Sequence, residues 1–105
     1  MEITLSDLKE LFGNTVKHSD SPWEIGKIYL IRTVTMIDTG RLIAVTEQEL
    51  VLEDAAWIAD TGRFADALKK SEFGEVEPFP DGRVIVGRGS VIDAVKIPVA
   101  PRIQK

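Results

Sequence analysis

A chain of 105 residues, 44% hydrophobic and 29% charged, has the make-up of a folded globular protein with room for one modest core. Its formal charge of −4 argues against a basic coat for nucleic acid, which depends on many Lys and Arg contacts to phosphate, while leaving space for a localised basic spot. With no cysteine there is no disulfide, thiolate nucleophile or cysteine-ligated zinc; no apolar run nears the roughly 20 residues that cross a bilayer, and Met1 to Phe12 lacks a signal peptide's basic start, so a single cytoplasmic domain over residues 1–105 is expected.

In chain order, Leu5, Leu8, Leu11 and Phe12 fall at helical spacing, with Thr4 or Ser6 to cap the first turn and Gly13 to close the last. This predicts a short amphipathic helix over residues 5 to 12 that plugs one end of a β core. Asn14 to Glu24 is polar, contains Pro22 and reads as a loop, with Trp23 and Ile25 folding back on the core. From Ile28 to Ile58 the chain is rich in β-branched and aliphatic residues and reads as a three-stranded antiparallel meander. Its first strand is expected from Lys27 to Ile37, long enough to require a strong bend. Asp38-Thr39-Gly40 supplies a tight hairpin turn, Arg41 to Thr46 the second strand, Glu47-Gln48-Glu49 an acidic turn, and Leu50 to Ile58 the third strand, with Glu53 and Asp54 facing water or a neighbour.

A helix follows at FADALKKS, with Asp60 or Thr61 as its cap and Lys69 and Lys70 in its last turn, where cations suit the helix dipole. Glu72, Glu75 and Glu77 read as a solvated loop, and Pro80-Asp81-Gly82 as a turn. Val84 to Val86 forms a fourth strand, Gly87-Arg88-Gly89 a sharp break, Val91 to Ile97 a fifth, and PVAPRIQK a loosely held tail. Five strands with one leading and one inserted helix are read most economically as a small, strongly bent, mostly β barrel with an edge left for another subunit.

This pattern resembles the Sm-like (LSm) family. Leu50-Val51-Leu52-Glu53-Asp54-Ala55, preceded by Gly40 and Leu42, is similar to the end of that family's first segment, and Val84-Ile85-Val86-Gly87-Arg88-Gly89-Ser90-Val91-Ile92 to its second. The helical insertion is similar to that of divergent Sm-like proteins of bacterial viruses. The resemblance implies an SH3-like barrel that assembles with itself into a ring of roughly five to seven copies, the fourth strand of one copy pairing with the fifth of the next. It also implies a pore-side pocket for bases of single-stranded RNA, carried here by Arg88 and by Gly89, which lets a base approach the backbone. Where the family supplies an Asp and an Asn in the turn before the third strand, this chain has Glu47-Gln48-Glu49, whose carboxylates repel phosphate. Neither a cofactor nor a metal is expected, no membrane partner is implied, and ring assembly without RNA is a second reading.

Asp-Thr-Gly occurs twice, at residues 38–40 and 60–62, and with Ile85-Val86-Gly87 the first copy resembles retroviral-type aspartic proteases. That resemblance implies a homodimer in which one Asp38 from each subunit shares a proton and activates water. Arg41 and Arg63 oppose it, since a nearby cation is expected to lower an aspartate's pKa, so an enzyme is not the expectation. His18 is the only histidine and lies in a polar loop without a second ligand at metal spacing. Gly87-Arg88-Gly89 lacks the lysine and helix of a phosphate loop. Lys69-Lys70 reads as a solvated helix end, and Tyr29 and Trp57 as core or interface aromatics.

Overall fold

The structure is a computed structural model that describes residues 21–105. The helix expected over residues 5 to 12 and His18 both lie outside the described residues. Six antiparallel strands make one bent sheet: β1 (Ile28–Thr33), β2 (Ile37–Val45), β3 (Glu49–Asp60), β4 (Glu75–Pro78), β5 (Val84–Gly87) and β6 (Val91–Lys96), in the order β4-β3-β2-β1-β6 with β5 beside the first part of β3. One helix, α1 (Phe64–Lys70), lies between β3 and β4. No helix among the described residues is long and apolar enough to cross a membrane.

The alternation within β1 explains why the sheet is covered on both faces. Tyr29 and Ile31 join Leu42, Leu50, Leu52, Ala55 and Val86 on one face, whereas Leu30 joins Ala56, Ile58, Ala67, Phe73, Val76 and Ile97 on the other. Leu42, Leu50 and Leu52 are fully enclosed, each stabilising the fold by about 2 kcal/mol relative to exposure. Trp23 packs edge-on to Tyr29 at 5.2 Å, as its bulk requires. Ile25, expected on the core, is instead exposed.

Several expectations need correction. The first strand does not run to Ile37: it ends at Thr33 and reverses through Val34-Thr35-Met36. Thr33 makes this turn possible without glycine, since its N–H and Oγ1 both donate to the Met36 carbonyl, at 2.7 and 2.9 Å, and Oγ1 accepts from the Met36 N–H at 3.0 Å. Asp38-Thr39-Gly40 is therefore no turn but the first half of β2, opposite Ile31, Leu30 and Tyr29. Gly40 is required for a different reason than a positive φ: a Cβ there would stand 2.9 Å from the Leu52 Cβ and 3.1 Å from the Glu53 carbonyl, so only glycine admits β3 this close.

The bend sits at the same place. Asp54, at φ 52°, is an extra residue in β3 that shifts its register against β2 between Thr39 and Arg41. Glu53 and Asp54 do not simply face water: Arg41 pairs with both, at 3.0 and 2.6 Å, and Arg83 adds a second bond to Glu53 at 2.9 Å. Glu75 and Glu77, read as loop, belong to β4, an additional strand held against the end of β3. β5 and β6 do not pair with each other, so the sheet stays open where a closed barrel was expected.

The tail is tied rather than loose. The Val99 N–H donates to Ser71 Oγ at 3.0 Å, the Arg102 guanidinium bonds the Ala55 and Phe79 carbonyls, and Lys105 and Val76 exchange two backbone bonds of 3.0 and 3.1 Å.

Candidate nucleic-acid interface

Two connections meet at one end of the sheet, and the polar residues singled out in the sequence lie on them. The β2–β3 turn, Thr46-Glu47-Gln48, is closed by Thr46: its N–H donates to the Glu49 carbonyl at 2.9 Å, while Oγ1 accepts from the N–H groups of Glu49 and Gln48 at 3.0 and 3.3 Å. Against it lies a single 3₁₀ turn, Arg88–Ser90, entered because Val86 and Gly87 pair with Leu50 and Glu49 and the chain must then cross from β3 to β1. Ser90 Oγ donates to the Gly87 carbonyl at 2.7 Å, and the Ser90 carbonyl accepts from the Val34 N–H at 2.9 Å, so the segment is pinned at both ends.

Arg88 joins the two connections. Its backbone N–H donates to the Gln48 carbonyl at 2.9 Å and its guanidinium donates to the Thr46 carbonyl. The side chain is half-buried and fixed in direction, and its remaining guanidinium donors make no hydrogen bond among the described residues. Gly89 beside it is exposed, and nothing lies within 4 Å of where a Cβ would stand, which leaves its backbone open to a flat group. Glu47, Gln48 and Glu49 are all exposed, and among the described residues neither glutamate takes part in an ion pair. The surface thus offers one directed cation, backbone groups and an amide, under a local excess of negative charge.

The Asp-Thr-Gly triplets lie elsewhere and give no support to proteolysis. Asp38 is buried near the start of β2 opposite Trp57, and its Oδ1 has no hydrogen-bond partner among the described residues. Burial pushes its carboxyl above the ordinary aspartate range, the reverse of the lowering expected from Arg41, whose guanidinium is engaged by Asp54 and Glu53. Asp60 does not cap α1: its Oδ1 accepts from the Gly62 N–H at 2.8 Å, and Arg63 occupies the cap position with no side-chain bond. Tyr29 is buried, with its hydroxyl accepting from the Glu24 N–H at 2.9 Å, while Trp57 remains partly exposed. Among the described residues no three His, Asp or Glu side chains converge to hold a metal.

Two features had escaped the sequence. The role of Thr46 was legible in principle, as a threonine opening a polar turn. A groove of about 400 Å³ beside the β1–β2 turn, lined by Arg32, Met36, Ile37, Trp57, Ile58 and Ile92 among others, was not, because the turn that forms it was read as continuous strand.

A heptameric archaeal Sm protein, known from its crystal structure, superposes on this sheet with a TM-score of 0.53 and 25% sequence identity, over 70% of this chain and 90% of that one. The fold is Sm-like. No protein-family model and no curated protein matches the sequence. On the Sm-like sheet the two segments that carried the resemblance, LVLEDA and VIVGRGSVI, lie side by side, with Leu50, Val51 and Leu52 of β3 opposite Val86, Ile85 and Val84 of β5. Leu50, Leu52, Ala55 and Val86, with Val84 and Val91 packed against them, therefore serve the shared core while Ile85 and Ile92 are exposed, and Arg88-Gly89 follows where β5 leaves it.

Proposed function

We propose that residues 1–105 form one Sm-like domain that assembles with itself into a ring of roughly five to seven copies and acts as a binding module without catalysis. The observation that carries this reading is a pair of strand edges with no partner among the described residues, on β5 and β6. The Arg88 bond to Gln48 places Val86 and Val84 on the side hydrogen-bonded to β3, so alternation turns the N–H and C=O of Ile85 outward. The Ile97 bond to Ile28 likewise turns the backbone groups of Ala94 and Lys96 outward from β6. Exposed Ile85 and Val95 accompany these edges, and one edge can satisfy the other only between two copies. The similar archaeal protein is a heptamer. Native mass spectrometry tests the assembly: a single mass of five to seven copies supports it, and a monomer or dimer at micromolar concentration rejects it.

Within such a ring, Arg88 and Gly89 are the residues we assign to single-stranded RNA, with the guanidinium and open backbone meeting a base. Arg88→Ala is expected to weaken binding of a short uridine-rich or adenine-rich RNA by roughly ten-fold or more without changing the ring mass. Arg88→Lys, which keeps the charge but loses the planar fork, is expected to recover only part of the loss. Equal RNA affinity in wild type and Arg88→Ala removes Arg88 from the site. The second reading, a structural ring without RNA, is favoured by the commitment of Arg88 to the Thr46 carbonyl and by the exposed carboxylates of Glu47 and Glu49, which have no ion pair among the described residues. It is selected if no RNA binds at low salt, where phosphate contacts are strongest.

A further inference from the structure

Residues 98–105 do more than trail from β6. They leave one border of the sheet, pass Ser71 at the end of α1, and finish against the opposite border at β4. Arg102 holds the crossing through the carbonyls of Ala55 and Phe79, which also joins the β3 bulge to the loop after β4. Lys105 then makes a two-bond bridge with Val76, its N–H donating to the Val76 carbonyl and its carbonyl accepting from the Val76 N–H.

That bridge occupies the one backbone donor this border offers. Within the four residues of β4, the pairing with Lys105 shows that Val76 points its backbone away from β3, so Glu75 and Glu77 point toward it. The next outward position is Pro78, which has no N–H. A strand approaching β4 therefore meets a taken donor, a taken acceptor and a proline. β5 lies beside the same strand β3 with its outward groups unengaged by any strand among the described residues. A β6 from another copy is six residues long and β5 only four, so without a stop the added strand can extend toward β4.

We propose that residues 98–105 are a strap that seals β4 in cis and confines pairing with a second copy of this chain to β5. The proposal rests on the ring reading for its consequence but on the Val76–Lys105 bridge for its mechanism, and the two are read separately. In the full chain the Val76 amide exchanges slowly with solvent deuterium; removal of residues 99–105 exposes it, and Arg102→Ala, which keeps the segment but loosens its crossing, speeds exchange about ten-fold. In native mass spectrometry the full chain gives one closed mass, and the shortened chain a spread of larger species as β4 becomes available to other copies. If both variants leave Val76 exchange unchanged, or the shortened chain keeps the single mass of the full one, the strap is wrong. A full chain that is monomeric rejects the ring alone; the strap then stands if shortening both exposes Val76 and drives self-association, and falls if either fails. Arg102→Ala guards against loss of folding in the shortened chain, since slow exchange at Leu42 and Leu52 amides reports an intact core.

Discussion

The same three residues, Asp-Thr-Gly, occur twice in this chain and adopt two unrelated structures. Residues 38–40 lie in β2, enclosed on both faces: Thr39 is fully buried against the face of Leu30, and Gly40 faces Leu52. Residues 60–62 end β3 in an exposed turn, where Gly62 takes φ 65° and Asp60 Oδ1 holds the Gly62 N–H. In the turn, the local chemistry of Asp and Gly decides the conformation. In the strand that preference is overridden, because pairing with β1 and β3 satisfies the backbone and the two cores cover the side chains. Local propensity decides where tertiary contacts are few and yields where they are many.

The largest expected effect breaks this contrast at glycine. Gly40→Ala places a methyl 2.9 Å from the Leu52 Cβ and 3.1 Å from a backbone carbonyl, neither of which is the yielding end of a long side chain. Chemical denaturation should show a loss of about 2–3 kcal/mol. Because φ at Gly40 is not positive, Gly40→Asn should do no better than Gly40→Ala; a rescue by asparagine would mean the position is conformational after all.

These observations also explain what could be read from sequence. The strands that carry core residues at period two, β3 and β5, and the helix with Phe64, Ala67 and Leu68 on one side, emerged close to their observed limits, since pattern and packing agree there. The hairpin between β1 and β2 was misplaced by a few residues because its turn, Val34-Thr35-Met36, is made of strand-forming types held by one threonine hydroxyl, while the residues that look like a turn sit inside the strand. β4 was hidden for a related reason: EVEP offers one apolar residue among two glutamates and a proline, and only the length of β3 shows that a strand must lie beside its far end. Arg88 was legible as a singular cation at a glycine-flanked break, but its bond to Thr46 depends on a contact across 42 positions.

Asp38 gives the next effect, and its sign is opposite to that of an ordinary carboxylate. Burial raises its pKa in the folded state, so between the ordinary aspartate value of 3.8 and the raised one the folded chain holds more protons than the unfolded chain. Stability from this group is thus full below the ordinary value and is lost as pH rises through that window. Glu24, Glu53 and Asp93 act the other way, because Lys96, Arg83 and Arg32 lower their pKa values, and they weaken the fold as pH falls. Asp38→Asn removes only the first contribution. The variant should match wild type near pH 3 and exceed it at pH 7 in parallel urea titrations; a constant difference across that range would mean that Asp38 does not change its protonation on unfolding.

At the exposed triplet the effects are smaller and their pattern is reversed. Gly62→Ala must hold φ 65° with its Cβ 3.3 Å from the Gly74 nitrogen, at a cost of about 1 kcal/mol, and Gly62→Asn should recover part of it, unlike the corresponding change at Gly40.

The smallest effect makes the sharpest comparison, because one substitution is read at both aspartates. Asp60→Ala loses an exposed hydrogen bond to the Gly62 N–H, and water replaces it, so the expected loss is about 0.5–1 kcal/mol. Asp60→Asn keeps an oxygen at the same place and should change stability at neutral pH by only about 0.3 kcal/mol. Asp38→Asn is instead expected to raise stability under the same conditions, since it removes a buried carboxylate whose Oδ1 has no hydrogen-bond partner among the described residues. Equal responses of the two aspartates in one denaturation series would show that burial does not separate them, and the account of why the strand overrides the turn would fail with it.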